Sequence, residues 1–344
     1  MVKNKPKVLI IYTGGTIGMV RDEKKGTLKP FRMSRMTKSV PSILDLGIEI
    51  HALELEEVID SSNVTPEVWS ELAGIIGEHY TKFDGFVVLH GSDTMAFSAS
   101  ALSFMLENLE KPVVFTGSQL PLGLPRTDAR ENLITALEIA ALKDGLGQSL
   151  IPEVCIYFED RLYRGNRTHK FNSENFDAFL SLNYPILAEA GVKIEVFEHR
   201  LLPIPSEPFR VHETLNKNVA VLTLFPGMNV PAQVEMFIHT KVELVILETY
   251  GAGNGPTSED FLNAIKTLIH NEVLVVNVTQ CRQGHVEMEK YEASTALAEM
   301  GIIGLDDITI EAAITKAMFV LGQTKNREER KLLMQRTLRG EMST

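Results

Sequence analysis

The chain has 344 residues, a formal net charge of -11 at pH 7 and 44% hydrophobic residues. Its length favours two domains, and its apolar content is that of an ordinary globular protein, which excludes a disordered chain. The acidic balance argues against nucleic acid or an anionic membrane surface as a partner, because both call for a basic patch.

Apolar runs typical of buried strands alternate with helical patterns through the first part of the chain. The first run, Lys7 to Tyr12, leads into the turn Thr13-Gly14-Gly15-Thr16-Ile17-Gly18. This alternation predicts an α/β fold with a mostly parallel sheet covered by helices on both faces. The predicted strands are 7–12, 85–89, 113–116 and 154–158, and the predicted helices are 65–80, 94–108 and 128–143.

A proline-containing segment, 198–218, interrupts the alternation and is predicted to be a linker. We therefore expect an N-terminal catalytic α/β domain at 1–197 and a C-terminal α/β domain at 219–344. Beyond the linker the alternation restarts and ends in a charged helix that we expect to be exposed. The predicted strands there are 219–224, 244–247 and 273–279, and the predicted helices are 257–270, 309–321 and 327–338.

Cysteine usage and the N-terminus indicate a reducing compartment. Cys155 and Cys281 form no Cys-x-x-Cys pair, so neither a zinc site nor a disulfide framework is predicted. The N-terminal apolar run is too short for a signal peptide, and no run approaches the length of a membrane span. We expect a cytoplasmic protein.

Three polar segments follow predicted strands or apolar runs in the first domain. They are Thr13 to Gly18, Asp60-Ser61-Ser62-Asn63 and His90-Gly91-Ser92-Asp93-Thr94. The carboxyl ends of parallel strands share one edge of the sheet, so we expect the hydroxyls of these segments to converge on one crevice. Taken singly, each segment is also explained by an ordinary turn or helix cap.

A hydroxyl nucleophile needs a neighbouring group that accepts its proton. His90 lies two residues from Ser92, but the alternation of side chains along a strand does not aim it at that hydroxyl. Nor does a Gly-x-Ser-x-Gly elbow surround Ser92. A lysine beside a carboxylate is another solution, but the residues alone do not say which lysine it is.

The three polar motifs together resemble the bacterial-type L-asparaginases, and most closely their cytoplasmic type I branch. The similarity extends over essentially the whole chain and includes the stretches 101–109, 161–168, 250–254 and 338–342. It implies a two-domain architecture, with a larger N-terminal, mostly parallel, flavodoxin-like sheet and a smaller C-terminal α/β domain.

The resemblance also implies an activity and the residues for it. The reaction is hydrolysis of the side-chain amide of L-asparagine, without a metal or a cofactor, and Thr16 matches the nucleophile. Asn254 matches a residue lent across a subunit interface, so a homodimer or homotetramer is implied. A second catalytic group matches Ser92, Asp93 and Lys170, and the substrate-binding positions match Ser61, Ser62, Gly91, Ser92, Asp93 and Asn254.

Three features depart from the family pattern. Ser92 stands where threonine is common, which keeps the hydroxyl but loses the methyl that stiffens the rotamer. We therefore expect reduced turnover relative to a threonine version. The segment 21–31, which fits a lid, has no tyrosine, and Thr27 is nearest to the matching place. Some type I enzymes bind asparagine at a regulatory site, for which Cys281 agrees while Glu248 and His169 differ.

Two other functions also fit parts of the sequence. The amidotransferase subunit that serves misacylated tRNA shares the fold, but we expect it to carry an added N-terminal domain, and only 12 residues precede Thr13. The glycine cluster 251–255 suggests a phosphate-binding loop. It lacks the last glycine of the dinucleotide fingerprint and the Lys-Ser/Thr pair of a P-loop. An ammonia-release assay with a nucleotide-binding control separates these functions.

Overall fold

The computed structural model describes residues 5–21, 28–30, 40–288 and 292–343. The chain divides into two compact units, Met1–Glu213 and Thr214–Thr344. The proposed lid residue Thr27 lies outside the described residues. Within the described ranges, every helix is too short or too polar to cross a membrane.

The first unit contains fourteen described strands and three described α-helices. The strands are β1 Lys7–Gly14, β2 Met19–Arg21, β3 Leu28–Pro30, β4 Glu49–Ile59, β5 Gly85–Leu89, β6 Leu106–Glu107, β7 Val113–Thr116, β8 Val154–Phe158, β9 Arg161–Arg164, β10 His169–Lys170, β11 Phe179–Leu180, β12 Ala188–Ala190, β13 Ile194–Val196 and β14 Arg210–Val211. The helices are α1 Pro66–His79, α2 Met95–Met105 and α3 Ala129–Ala140.

The large sheet has the strand order β13-β12-β9-β8-β7-β5-β1-β4. Strands β4, β1, β5, β7 and β8 are parallel, and β9, β12 and β13 continue the sheet in antiparallel fashion. The parallel part has the second-first-third-fourth-fifth order of the flavodoxin-like fold. The order reverses between β1 and β5, so the loops after these two strands leave the sheet side by side, at the position where such folds bind ligands.

Helices cover both faces of this sheet, as the alternation predicted. Alternate residues of β1 and β5 pack into a single core with Leu133 and Leu137 of α3. Ile10 and Val87 are among them. Helix α2 packs against β8 and against α1. Because both faces are buried, the central strands are apolar throughout rather than alternating.

The second unit has a four-stranded parallel sheet. The order of its strands is β15 Val219–Thr223, β16 Leu244–Thr249, β17 Leu274–Thr279 and β18 Ile303–Gly304. Its helices are α4 Val230–His239, α5 Glu259–His270, α6 Glu292–Glu299, α7 Ile310–Gln323 and α8 Arg327–Gln335. Helices α4 and α5 share a core with the sheet, and α7 contacts β15 and β16.

The structure differs from the sequence-based expectations in several places. The segment 198–218 contains β14, which pairs with β6, and the helix expected at 94–108 ends at Met105 because Leu106 enters this pairing. The C-terminal charged helix was expected to be exposed, which is wrong for one of its faces, since Arg330 and Met334 are buried. Helices α4 and α6 were not predicted.

Candidate active site

Glycines hold three loops of the first unit in direct contact. Gly15 has φ +84°, and a Cβ added to it would lie 2.5 Å from the Cα of Gly91. A Cβ on Gly91 would lie 2.4 Å from Oγ of Ser61. The Thr94 hydroxyl donates to the Ser61 carbonyl at 2.7 Å. The loops at 13–18, 60–63 and 90–94 therefore meet at one edge of the sheet, with a spacing that only glycine permits.

The two threonines of the first loop have different surroundings. Thr13 is buried, and its hydroxyl donates to the Leu89 carbonyl at 3.0 Å, so it ties the loop to β5. Thr16 directly follows Gly15 and begins a 3₁₀ turn, Thr16–Gly18. It is half-buried, and within the described residues its hydroxyl makes no hydrogen bond. With respect to the described part of the chain, Thr16 is thus the hydroxyl of this loop that is open to a ligand.

Ser92, Asp93 and Lys170 are brought together although Lys170 lies far along the chain. Nζ of Lys170 donates to Oγ of Ser92 at 2.9 Å and also to Oδ1 of Asp93. The Lys170 side chain is 18% exposed and that of Asp93 is 62% exposed. The amine is therefore held from the protein side, while the carboxylate remains open to solvent.

Packing against α2 places Lys170 at this point. A Cβ on Gly165 would lie 3.0 Å from the Cβ of Ala99 on α2, so the segment before Lys170 approaches the helix closely. Strand β10 then pairs with β11, with Lys170 opposite Phe179. Ser92 and Asp93 lie just before Met95, the first residue of α2. The positive end of a helix dipole favours a carboxylate or a developing oxyanion at that position.

The second loop is also a hydrogen-bonded turn. The backbone N–H and the hydroxyl of Ser62 both donate to Oδ1 of Asp60, at 3.0 and 2.9 Å. These bonds lower the pKa of the Asp60 carboxyl. Ser61 is buried, whereas Ser62 is exposed. A ligand carboxylate could accept a hydrogen bond from the Ser62 hydroxyl only by replacing Asp60 as its acceptor.

His90 does not face the Ser92 hydroxyl. Its ring is 1% exposed. Nδ1 lies 2.7 Å from the Gly91 carbonyl and Nε2 lies 2.9 Å from Oγ of Ser98. Burial lowers the pKa of His90 to about 4. Both ring nitrogens are engaged in the core, so the base in this site is not His90.

Asn254 belongs to the second unit, where the glycine cluster forms a tight turn. Tyr250 and Asn254 exchange backbone hydrogen bonds of 3.0 and 2.8 Å. Gly253 has φ +102°, and its carbonyl accepts from Nδ2 of Asn277 at 3.0 Å. Oδ1 of Asn254 is buried without a hydrogen-bond partner among the described residues. An unsatisfied buried acceptor of this kind is available to a donor from outside the unit.

Comparison with known proteins gives the same family in both units. The model "Asparaginase, N-terminal" matches residues 7–202, and the model "Glutaminase/Asparaginase C-terminal domain" matches residues 218–334. The chain belongs to the asparaginase family. This finding confirms the predicted family and the predicted two-domain α/β architecture.

Individual relatives match over almost the whole of this chain. L-asparaginase 1 of Escherichia coli strain K12 is 40% identical, over 98% of this chain and 98% of that protein. The 60 kDa lysophospholipase of Mus musculus is also 40% identical, over 98% of this chain but 62% of that protein. The crystal structure of L-asparaginase I from Vibrio cholerae has a TM-score of 0.88 at 39% identity and covers 99% of this chain and 100% of that one.

The candidate site also contains a residue that the sequence did not suggest. Oε1 of Gln119 lies 3.5 Å from Oγ of Ser92, and its Nε2 donates to the Asn175 carbonyl at 2.9 Å. The Asn175 bond fixes which end of the amide faces Ser92, because a carbonyl accepts only from the nitrogen. Gln119 lies in no motif of its own, so no signal in the sequence identifies it.

Proposed function

We propose that this asparaginase hydrolyses the side-chain amide of L-asparagine to L-aspartate and ammonia. One observation carries the proposal: Nζ of Lys170 hydrogen-bonds to both Ser92 and Asp93 at the start of α2. The Lys170 amine thus lies against the hydroxyl and the carboxylate of the loop that packs against the Thr16 loop. The relatives named L-asparaginase support the same reaction.

The reaction proceeds through an ester of Thr16. The Thr16 hydroxyl oxygen attacks the amide carbon, and its proton passes through Ser92 and Lys170 to the nitrogen that leaves as ammonia. Water then attacks the β-aspartyl ester, releases aspartate and returns a proton to Thr16. The backbone amides of Gly91 and Ser92 stabilise the negative oxygen that develops in each half of the reaction.

The substrate is a zwitterion, and the loops offer a partner for each of its charges. The exposed carboxylate of Asp93 binds the ammonium group, and the hydroxyls of Ser61 and Ser62 bind the carboxylate. In this proposal Asn254 completes the site from another subunit of a homodimer or homotetramer in the cytoplasm. Its buried, unpartnered Oδ1 supports that assignment.

Ammonia release from L-asparagine tests the proposal. We expect Lys170→Met to lower kcat by about 100-fold or more, because it removes the group that moves the proton. Lys82→Met is the matched control: Lys82 is exposed near the opposite edge of the sheet, and we expect it to leave kcat unchanged. L-Glutamine, a lysophospholipid and a nucleotide serve as alternative ligands. Absence of ammonia release from asparagine by the unmodified chain contradicts the proposal.

A further inference from the structure

A buried chain of hydrogen bonds runs from Trp69 to the loop that carries Ser92. Nε1 of Trp69 donates to Oγ of Ser98 at 2.9 Å, and this hydroxyl lies 2.9 Å from Nε2 of His90. Nδ1 of His90 lies 2.7 Å from the Gly91 carbonyl. Trp69, His90 and Ser98 are 5%, 1% and 0% exposed. The mechanism proposed above uses none of these three side chains.

The two end groups of this hydrogen-bond network determine the direction of its first and last bonds. An indole N–H can only donate, and a carbonyl can only accept. Ser98 therefore accepts from Trp69, and Nδ1 of His90 carries the proton given to Gly91. In the neutral ring Nε2 is then unprotonated, so it accepts the proton of the Ser98 hydroxyl.

The surroundings of the ring favour the same state. The imidazole is in contact with the Gly91 carbonyl, the Ser98 hydroxyl and the ring of Phe115, whose centroid lies 5.8 Å away. None of these three groups carries a charge. Burial lowers the pKa of His90 to about 4, so the ring stays neutral at physiological pH.

The Gly91 carbonyl shares a peptide unit with the Ser92 N–H. The described residues contain no cis peptide bond. In a trans peptide the carbonyl and the N–H point in opposite directions. A carbonyl held against the buried ring of His90 therefore directs the Ser92 N–H away from it. Within the described ranges this N–H donates to no acceptor, which leaves it available for a ligand.

We propose that His90 is a positioning residue: in its neutral Nδ1–H form it fixes the Gly91–Ser92 peptide so that the Ser92 N–H is aimed as an oxyanion donor. The inference deepens the proposed function and rests on it. A donor fixed in advance stabilises a developing charge more than one that must reorient. His90 acts through the backbone and touches neither the substrate nor the reacting atoms.

Two substitutions of nearly equal size test this role. His90→Asn keeps an N–H donor at the δ position, and His90→Leu removes it while leaving a similar void. Because loss of a whole oxyanion donor lowers kcat by about 10²–10³, we expect His90→Leu to lower kcat about 10- to 100-fold with KM nearly unchanged. His90→Asn should retain kcat within about threefold, and Ser98→Ala should fall between the two.

A stability control separates positioning from general loss of packing. Ile139 is buried on α3 and precedes Ala140, which lies against the start of β5, at the opposite edge of the sheet. We expect Ile139→Val to lower Tm without changing kcat. Equal kcat values for His90→Asn and His90→Leu, or a loss that appears only in KM, overturn the proposal.

Nitrogen NMR of the full chain gives a readout that does not depend on activity. We expect a protonated Nδ1, an unprotonated Nε2 and no titration of His90 between pH 6 and 8. The opposite tautomer, or titration near the ordinary pKa, contradicts the inference even in an active enzyme. If the unmodified chain releases no ammonia from asparagine, the proposed function fails, and with it the oxyanion role; the tautomer result still decides whether His90 fixes the peptide.

Discussion

Ser92 is a hydroxyl whose position depends on its neighbours. Nζ of Lys170 donates to it at 2.9 Å, and Oε1 of Gln119 lies 3.5 Å away. A threonine at this position would also be restricted by its own methyl group, because a second heavy atom on Cβ limits χ1. A serine hydroxyl loses more rotamer freedom each time it takes the productive orientation.

Substitution of Ser92 separates the hydroxyl from the methyl. We expect Ser92→Ala to lower kcat about 10²- to 10⁴-fold, because proton transfer through the hydroxyl is lost. We expect Ser92→Thr to raise kcat a few-fold, because the added methyl stiffens the rotamer. Steady-state ammonia release measures both. Near-normal turnover of Ser92→Ala would exclude Ser92 from the reaction.

At this scale the sequence predicts motif residues better than their partners. Ser92 and Asp93 follow a strong strand pattern, so their place at the sheet edge follows from the fold. Lys170 is 78 positions from Ser92, and only the family resemblance singled it out. Neither the strand pattern nor the family resemblance identified Gln119. Its orientation depends on the Asn175 carbonyl, which comes near only in the folded chain.

At the scale of elements, the loops after β1 and β5 are joined by backbone contact. Gly15 has φ +84°, and a Cβ there would lie 2.5 Å from both N and Cα of Gly91. Backbone atoms cannot rotate out of the way as a flexible side chain can. The relative position of the Thr16 and Ser92 loops therefore depends on the absence of a side chain at Gly15.

Gly15→Ala is expected to disturb the site more than the fold. The methyl group must displace the Gly91 loop, and alanine is strained at positive φ. We expect kcat to fall at least tenfold, with a destabilisation of about 1–3 kcal/mol. Ammonia release and urea unfolding measure the two effects. Gly47→Ala is the control, since Gly47 also has positive φ, at +70°, but has open space around it; equal kcat losses in both variants would contradict this account.

Glu243, at the start of β16, ties neighbouring elements of the second unit together. Its carboxylate accepts from Asn216 and Asn218, and it pairs with Arg330 of α8 at 2.9 Å. Partial burial raises the pKa of Glu243, but the hydrogen bonds from both asparagines and the pairing with Arg330 outweigh this effect and lower it to about 2. The ionised carboxylate therefore stabilises the folded unit.

This depressed pKa predicts how stability depends on pH. The stabilisation is fully present above the ordinary pKa of 4.5 and is lost as the pH falls toward about 2. We expect Glu243→Gln to lower Tm at pH 7, and the difference from the unmodified chain to be smaller at pH 3. Thermal unfolding at both values tests this, with exposed Glu235→Gln as control. An equal loss at both pH values would contradict the assignment.

The strands that the sequence predicts correctly are those buried on both faces of the large sheet. Strands 85–89, 113–116 and 154–158 have the predicted bounds, because central parallel strands read as continuous apolar runs. The pairing of β6 with β14 involves only two residues from each strand, and no local sequence pattern predicts it. The edge strand β4 carries exposed acidic residues, so its sequence lacks the continuous apolar run that predicts a buried strand.

At the scale of the whole molecule, the residues assigned to the reaction belong to two separate units of the chain. Thr16, Ser92 and Lys170 belong to Met1–Glu213, and Asn254 belongs to Thr214–Thr344. The resemblance assigns Asn254 to the site of another subunit, and assembly remains a prediction. In a twofold dimer with shared sites, each site would contain the first unit of one chain and Asn254 of the other.

Mixing two impaired variants tests this arrangement. A dimer of one Thr16→Ala chain and one Asn254→Ala chain has one site with both substitutions and one site with neither. After subunit exchange of equal amounts, we expect about a quarter of the unmodified activity to return. A mixture of Thr16→Ala and Lys170→Met chains is the control, because it creates no intact site. Recovery in neither mixture would contradict a site shared between subunits.

The central claim is that Thr16 attacks the amide carbon of asparagine with the aid of Ser92, Asp93 and Lys170. The most direct test is mass spectrometry of the full chain, quenched with acid during turnover of L-asparagine and then digested. We predict a β-aspartyl group on the peptide that contains Thr16, and none in Thr16→Ala, which should also release no ammonia above background. An adduct on Ser92, or ammonia release by Thr16→Ala at the rate of the unmodified chain, would contradict the claim.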